Sequence, residues 1–152
     1  MKPVGGRNEK SVYRAPLVYV GIFYALLVAW TVVSLFFLWP KAIKGAVPMA
    51  QLVMIAFVLA YTWYFSLGIS YVVRIGEPGN VEMRSLRRVL KVPVDDLSVV
   101  EGPRFAILPY GFLKFRLPRE KAYVFCHITS DDLRRLLSTM KRVNKKLEMK
   151  GI

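Results

Sequence analysis

Few residues in this chain belong to the types that carry out nucleophilic or metal chemistry. The single cysteine and the single histidine, Cys126 and His127, are neighbours on a predicted strand, where successive side chains point to opposite faces. They therefore cannot form a thiolate–imidazole pair, and one cysteine with one histidine does not make a zinc site without carboxylates. We expect Cys126 to be a small core residue and His127 to lie on the strand surface.

Two pairs of adjacent carboxylates are the remaining candidates for acid–base chemistry. Asp131 and Asp132 follow Ser130 at a predicted helix start, where a hydroxyl cap and acidic residues in the first turn are favourable. Asp95 and Asp96 lie in a predicted turn before a strand. Neither pair is typical of carboxylates held across a cleft, and the chain has no Walker A loop, HExxH motif or Rossmann fingerprint. The sequence predicts a protein that is not an enzyme and needs no cofactor or metal.

A dense basic cluster is the remaining group with a chemical use. It consists of Arg84, Arg87, Arg88 and Lys91, and such cations bind phosphate and carboxylate groups. The cluster is therefore a candidate site for anionic lipid headgroups or a protein partner. The alternative is a solvated strand edge whose charges prevent edge-to-edge pairing.

Two long apolar segments precede these residues and must position them. Pro16–Trp39 and Val47–Val73 contain no Asp, Glu, Lys, Arg or His, and uncharged apolar runs of 18 or more residues are typical of membrane spans. We predict a transmembrane helical hairpin over residues 15–68. A signal peptide is the alternative for the first segment, but its apolar region would be about 7–15 residues long, and this segment is longer and ends in FFLWPK.

The distribution of charge predicts an orientation. The chain has a net charge of +13. The tail, residues 1–14, and the stretch after the second segment are rich in Lys and Arg, whereas the connection between the segments contains only Lys41 and Lys44. By the positive-inside rule, both termini are cytoplasmic in a multi-pass protein of the cytoplasmic membrane. The basic excess suits an anionic leaflet; nucleic acid is an unlikely partner because the aromatic residues of the second half are predicted inside strands.

The second half of the chain predicts strands followed by one helix. Residues 71–128 alternate apolar and polar residues between turn signals such as Gly76–Asn80, which is typical of a sandwich or barrel. The seven predicted strands are 71–75, 81–84, 87–94, 97–101, 105–108, 112–118 and 121–128. A helix then starts near Thr129, and its apolar stripe is expected to pack on the strands. The stripe consists of Leu133, Leu136, Leu137, Met140, Val143 and Leu147.

The stretches RRVLKVPVDDLSVVEG and KAYVFCHITSDDLRRLLSTMKRVN resemble the central segment and the final strand and helix of prokaryotic pleckstrin-homology-like (PH-like) domains. Two spans followed by such a domain also resemble the prokaryotic membrane PH-like family. The resemblance implies an α+β membrane protein whose residues 69–152 form a cytoplasmic seven-strand PH-like sandwich or barrel with a C-terminal amphipathic helix. Phosphoinositide-binding PH domains use basic residues in the first hairpin, and the turn EPGN departs from that pattern.

These features favour a non-enzymatic membrane protein that presents a basic PH-like interaction domain, as a scaffold or assembly module that binds a protein partner or forms a homo-oligomer. One alternative is a small accessory subunit of a larger membrane complex. Another is a sensor of anionic lipid that uses the basic cluster.

Overall fold

A computed structural model describes residues 11–45, 47–76, 79–104 and 109–152 of the chain. In chain order its elements are β1 (Val12–Arg14), α1 (Leu17–Ile43), α2 (Met49–Leu67), β2 (Ser70–Gly76), β3 (Asn80–Ser85), β4 (Val89–Pro93), β5 (Val99–Glu101), β6 (Tyr110–Arg116), β7 (Lys121–His127), α3 (Asp131–Val143) and β8 (Glu148–Lys150). A short 3-10 turn, Val94–Asp96, follows β4. The architecture is mixed α+β, with two long apolar helices followed by strands and a C-terminal helix.

Helices α1 and α2 are long and apolar enough to cross a membrane. They contain 27 and 19 residues, and Pro16 and Pro48 precede them at positions where proline is well tolerated. Helix α1 has no buried residue, and Ser66 is the one buried residue of α2. Most of their apolar side chains are therefore not covered by the chain itself, unlike those of a core helix in a soluble protein.

The two helices pack side by side in an antiparallel hairpin. About one turn before the end of α2, the indole Nε1–H of Trp63 donates a hydrogen bond to Thr31 Oγ1 over 3.0 Å. At the end close to the sheet, the Tyr24 hydroxyl donates to the carbonyl oxygen of Ser66 over 2.7 Å. Tyr24 is thus level with the end of α2, and the first two turns of α1 extend past α2 towards the strands.

The strands form one mixed sheet with the order β4-β3-β2-β7-β6-β5-β8, and β1 pairs separately with β2. Most neighbouring pairs are antiparallel, as the predicted hairpins require, while the β2–β7 and β5–β8 contacts are parallel. Six of the seven predicted strands are present as β2 to β7. The remaining predicted strand, 105–108, lies outside the described residues.

The core lies between the inner faces of the strands and α3. Val73, Val81, Phe115 and Val124 are fully buried in it. Helix α3 contributes Leu133, Leu136, Leu137 and Met140, all of them buried. This confirms that the predicted apolar stripe is a packing face.

The sequence prediction of the last helix is wrong at its C-terminal end. Helix α3 ends at Val143 because Asn144 leaves the helical conformation, and the Asn144 side-chain amide donates to the carbonyl oxygens of Val94 and Leu97, each over 3.0 Å. Val143, the last helical residue, is about half exposed, and Leu147 is buried from the following loop. Ser130 occupies the N-cap position as predicted, although its hydroxyl makes no capping hydrogen bond.

Strands β1 and β8 were not predicted. Strand β1 lies in the segment assigned to the tail and pairs with β2 in the register Val12↔Arg74 and Arg14↔Val72. Its middle residue, Tyr13, is 1% exposed, and its hydroxyl oxygen accepts the backbone N–H of His127 over 3.0 Å. The residues just before α1 are therefore part of the sheet domain.

Candidate functional site

The predicted basic cluster is divided among different parts of the structure. The guanidinium carbon of Arg87 lies 3.9 Å from the centroid of the Tyr64 ring in α2, a favourable cation–π contact. The backbone N–H of Arg87 also donates to the carbonyl oxygen of Leu67 over 3.0 Å. Arg87 therefore holds the β3–β4 turn against the end of α2.

Arg88 and Lys91 face acidic side chains. Arg88 Nη2 lies 2.7 Å from a carboxylate oxygen of Glu120, and Lys91 Nζ lies 3.7 Å from one of Glu82. Both pairs are substantially exposed to solvent, so each adds little stability. The pairs nevertheless reduce the positive charge that these two residues offer to a ligand.

Arg84 instead shares a pocket with Arg14 and Arg74, two arginines outside the predicted cluster. Antiparallel pairing places Arg14 and Arg84 on either side of Val72 in one row of the sheet. Arg74 lies two residues from Val72 on the same strand, so its side chain emerges on the same face. Together these arginines border a pocket of about 240 Å³, which we call the arginine pocket. It is lined by Arg14, Ala15, Leu17, Tyr71, Val72, Arg74 and Arg84.

The arginine pocket has an excess of positive charge. Glu82 is the neighbour of Arg74 across the β2–β3 pair, and its carboxylate is the one that faces Lys91. Among the residues that the structure describes, no ion pair involves Arg14, Arg74 or Arg84. A guanidinium offers a planar fork of N–H donors that matches phosphate or carboxylate, so the ligand chemistry that this pocket favours is an anion.

A second, larger pocket of about 560 Å³ lies against β6 and the start of α1. Its aromatic wall includes Tyr19 and Tyr110, whose ring centroids are 4.9 Å apart. On its polar side Glu101 lies 2.9 Å from Lys114 and 2.6 Å from Arg116, and these cations lower the pKa of the Glu101 carboxyl. Glu101 and Lys114 of this pocket are therefore occupied by one another, whereas Arg104, which also lines it, makes no ion pair with the residues that the structure describes.

The cysteine and the histidine are separated as predicted. Cys126 is completely buried, and burial raises the pKa of its thiol to about 11, so at neutral pH it is protonated and unreactive. His127 is half-buried on the other face of β7, where its ring lies 4.7 Å from that of Tyr110. Within the described ranges no group of three or more His, Cys, Asp and Glu side chains could hold a metal ion.

The class that these observations define is an α+β protein with two helices of membrane-spanning length joined to a mixed sheet. Comparison with protein-family models, with curated proteins and with solved structures finds no match. The assignment of a function therefore depends on the geometry described above.

Proposed function

We propose that the chain is an integral membrane protein that presents a PH-like interaction domain at the cytoplasmic surface and acts there as a scaffold or assembly module. The observation that carries the proposal is the junction between helices and sheet. Two residues, Ala15 and Pro16, join β1 to α1, and two others, Gly68 and Ile69, join α2 to β2. Because β1 and β2 are also paired with each other, both spans continue directly into one part of the sheet.

Aromatic packing makes this junction rigid. The Phe23 ring of α1 lies 5.7 Å from that of Phe112 and 5.1 Å from that of Phe125 on the outer face of β6 and β7. On α2, Phe65 lies 5.2 Å from Tyr123 of β7. Such aromatic pairs add stability beyond the area that they bury. A domain held in this way keeps one face towards the bilayer and the other faces free for partners.

The C-terminal helix supports both the PH-like assignment and a role in binding. Helix α3 follows β2 to β7 in the chain and packs on the strands, as the resemblance to PH-like domains implies, whereas β1 and β8 are not part of that pattern. Exposed basic residues lie on its outer surface and in the loop that follows it: Arg134, Arg135, Lys141, Arg142, Lys145 and Lys146. Apart from Asp131 and Asp132 in the first turn, the charged residues of this surface are basic, which favours association with an acidic partner.

Native mass spectrometry of the chain, extracted gently from its own membranes, tests the proposal. We expect a homo-oligomer or a complex with a partner, and the triple variant Arg134→Gln, Arg135→Gln, Arg142→Gln should shift the distribution towards the monomer. A matched control replaces Lys41 and Lys44, which lie at the other end of the helices, by Gln. A chain that is monomeric at all protein concentrations and retains no partner would contradict an interaction module.

A further inference from the structure

We propose that the arginine pocket binds the phosphate group of one anionic phospholipid from the surrounding leaflet. This inference rests on the proposed anchoring in a membrane and adds a ligand to it. The predicted cluster at Arg87, Arg88 and Lys91 is not the site, because those side chains contact Tyr64, Glu120 and Glu82.

The spacing of the three arginines suits a single phosphate group. Neighbouring strands lie about 4.8 Å apart, so the backbones of Arg14 and Arg84, one strand on either side of Val72, are about 10 Å apart. The side chains of Arg14 and Arg84 are long enough to meet above Val72. Arg74, two residues from Val72 along β2, can reach the same point. Several charge-assisted hydrogen bonds to one phosphate group are then available.

The lengths of the two helices place the pocket at the depth of the lipid headgroups. At 1.5 Å per residue, the 19 residues of α2 extend about 28 Å, close to the hydrocarbon thickness of a bilayer. The 27 residues of α1 extend about 40 Å, which is the hydrocarbon plus headgroup layers. Since Tyr24 is level with the end of α2, the extra turns lie on the sheet side, and Leu17, which lines the pocket, lies among the headgroups.

The surface beside the pocket favours a lipid over a soluble anion. Leu17 and Val18 are 80% and 75% exposed, and Ile22, one turn further along α1, is 55% exposed. Between them Gly21 has no atom within 4 Å of the position of an added Cβ, so this face of the helix is open. An acyl chain can lie along this apolar face while its phosphate remains between the arginines, whereas a free phosphate would leave the face uncovered.

Native mass spectrometry of the full chain in mild detergent, titrated with phosphatidylglycerol or phosphatidylcholine, tests the site. We expect one phosphatidylglycerol to bind at least roughly tenfold more tightly than phosphatidylcholine, because only the former adds net negative charge beside three arginines. The triple variant Arg14→Gln, Arg74→Gln, Arg84→Gln should lose this preference. The control Arg104→Gln, Arg116→Gln, Lys150→Gln removes the same charge from exposed residues in or next to β5, β6 and β8, towards the β8 edge of the sheet, and should keep it.

A second pocket variant keeps the test decisive if the triple variant does not fold. Leu17→Glu changes an exposed residue and places a carboxylate in the pocket wall, so it should also abolish the preference. Equal lipid selectivity in the wild type and both pocket variants would overturn the proposal, and so would an equal loss in the control variant. If glycerol 3-phosphate displaces phosphatidylglycerol at equal concentration, the ligand is a soluble phosphate ester and the proposed lipid is wrong.

Different measurements test the proposed membrane anchoring and the proposed lipid site. Retention of the chain in membranes washed with alkaline carbonate reports the anchor, and we expect the pocket variants to be retained like the wild type. A retained chain without lipid preference would refute the lipid site alone. Release of the wild type by carbonate would refute the proposed anchoring.

Discussion

At the scale of residues, proximity in sequence was a poor guide to the candidate site. Arg84, Arg87, Arg88 and Lys91 are close along the chain, but β3 ends at Ser85 and β4 begins at Val89, so the turn between them separates the side chains. Arg84 was predicted as a site residue and does line the arginine pocket. Arg14 and Arg74 were missed as site residues, because only the pairing of β1 with β2 brings Arg14 near Arg84.

The buried thiol of Cys126 leads to a prediction about alkaline stability. Burial raises its pKa from 9.0 to about 11, so between these pH values the unfolded chain releases a proton that the folded chain retains. This contribution to the free energy of unfolding is complete below about pH 9 and is lost as the pH rises to 11. The loss amounts to about 2 kcal/mol at pH 11.

The expected result is that the melting temperature of the variant Cys126→Ala falls less steeply between pH 8 and 11 than that of the wild type. Scanning calorimetry in detergent measures both curves, and the difference between the proteins at pH 7 accounts for the lost packing of the sulfur. Parallel curves over this pH range would show that Cys126 does not contribute. Burial raises the pKa of Tyr13 to about 12. The titration of Tyr13 therefore affects stability only above about pH 10, and it does so equally in both proteins.

At the scale of elements, the length of each pattern decided what the sequence predicted. The two uncharged segments and the stripe of α3 repeat over many residues, and the helices that they predict are present. Strands β1 and β8 contain three residues each, too few for an alternating pattern to be distinguished from chance. Strand β5 is equally short, but it was predicted as part of the longer segment 97–101. The end of α3 was placed too late because Val143 and Leu147 continue the helical spacing, whereas the hydrogen bonds of Asn144 end the helix.

The contact of α1 with the sheet gives a prediction for this element. Phe23→Ala removes the ring that lies against Phe112 and Phe125 and should lower the free energy of unfolding by about 2 kcal/mol. This is less than the cost of a fully buried phenylalanine, about 3–5 kcal/mol, because Phe23 is only partly buried. Chemical denaturation in detergent, followed by the fluorescence of the tryptophans, measures the change.

Ile22→Ala is the matched control for this variant. Ile22 adjoins Phe23 in α1, but its side chain is 55% exposed and it makes no part of the aromatic contact, so its truncation should change the free energy of unfolding by less than about 0.5 kcal/mol. A cost for Ile22→Ala equal to that for Phe23→Ala would mean that the packing of α1 on β6 and β7 does not stabilise the domain.

At the scale of the whole molecule, the sequence indicated a helical hairpin followed by a domain, and the structure adds how the two are joined. The joining strand β1 lies before the hairpin in the chain, so the sheet contains residues from both sides of the two helices. A pattern in the sequence does not show that β1 joins the sheet, because this depends on pairing between residues about 60 positions apart. One consequence is that β1 and the rest of the sheet must lie on the same side of the proposed membrane.

Because β1 belongs to the sheet, the orientation of the chain can be tested with three introduced cysteines, each in a separate variant. The native Cys126 is completely buried, so it is a silent background for a membrane-impermeant maleimide. Lys44, between α1 and α2, and Lys145, after α3, are exposed. By the positive-inside rule, we expect the variant Lys44→Cys to be labelled in intact cells and Lys145→Cys only after permeabilisation.

Ser11→Cys, just before β1, must behave like Lys145→Cys because the sheet contains residues from both sides of the hairpin. Labelling of Ser11→Cys together with Lys44→Cys in intact cells would contradict the pairing of β1 with β2. Labelling of all three variants in intact cells would instead refute the membrane hairpin.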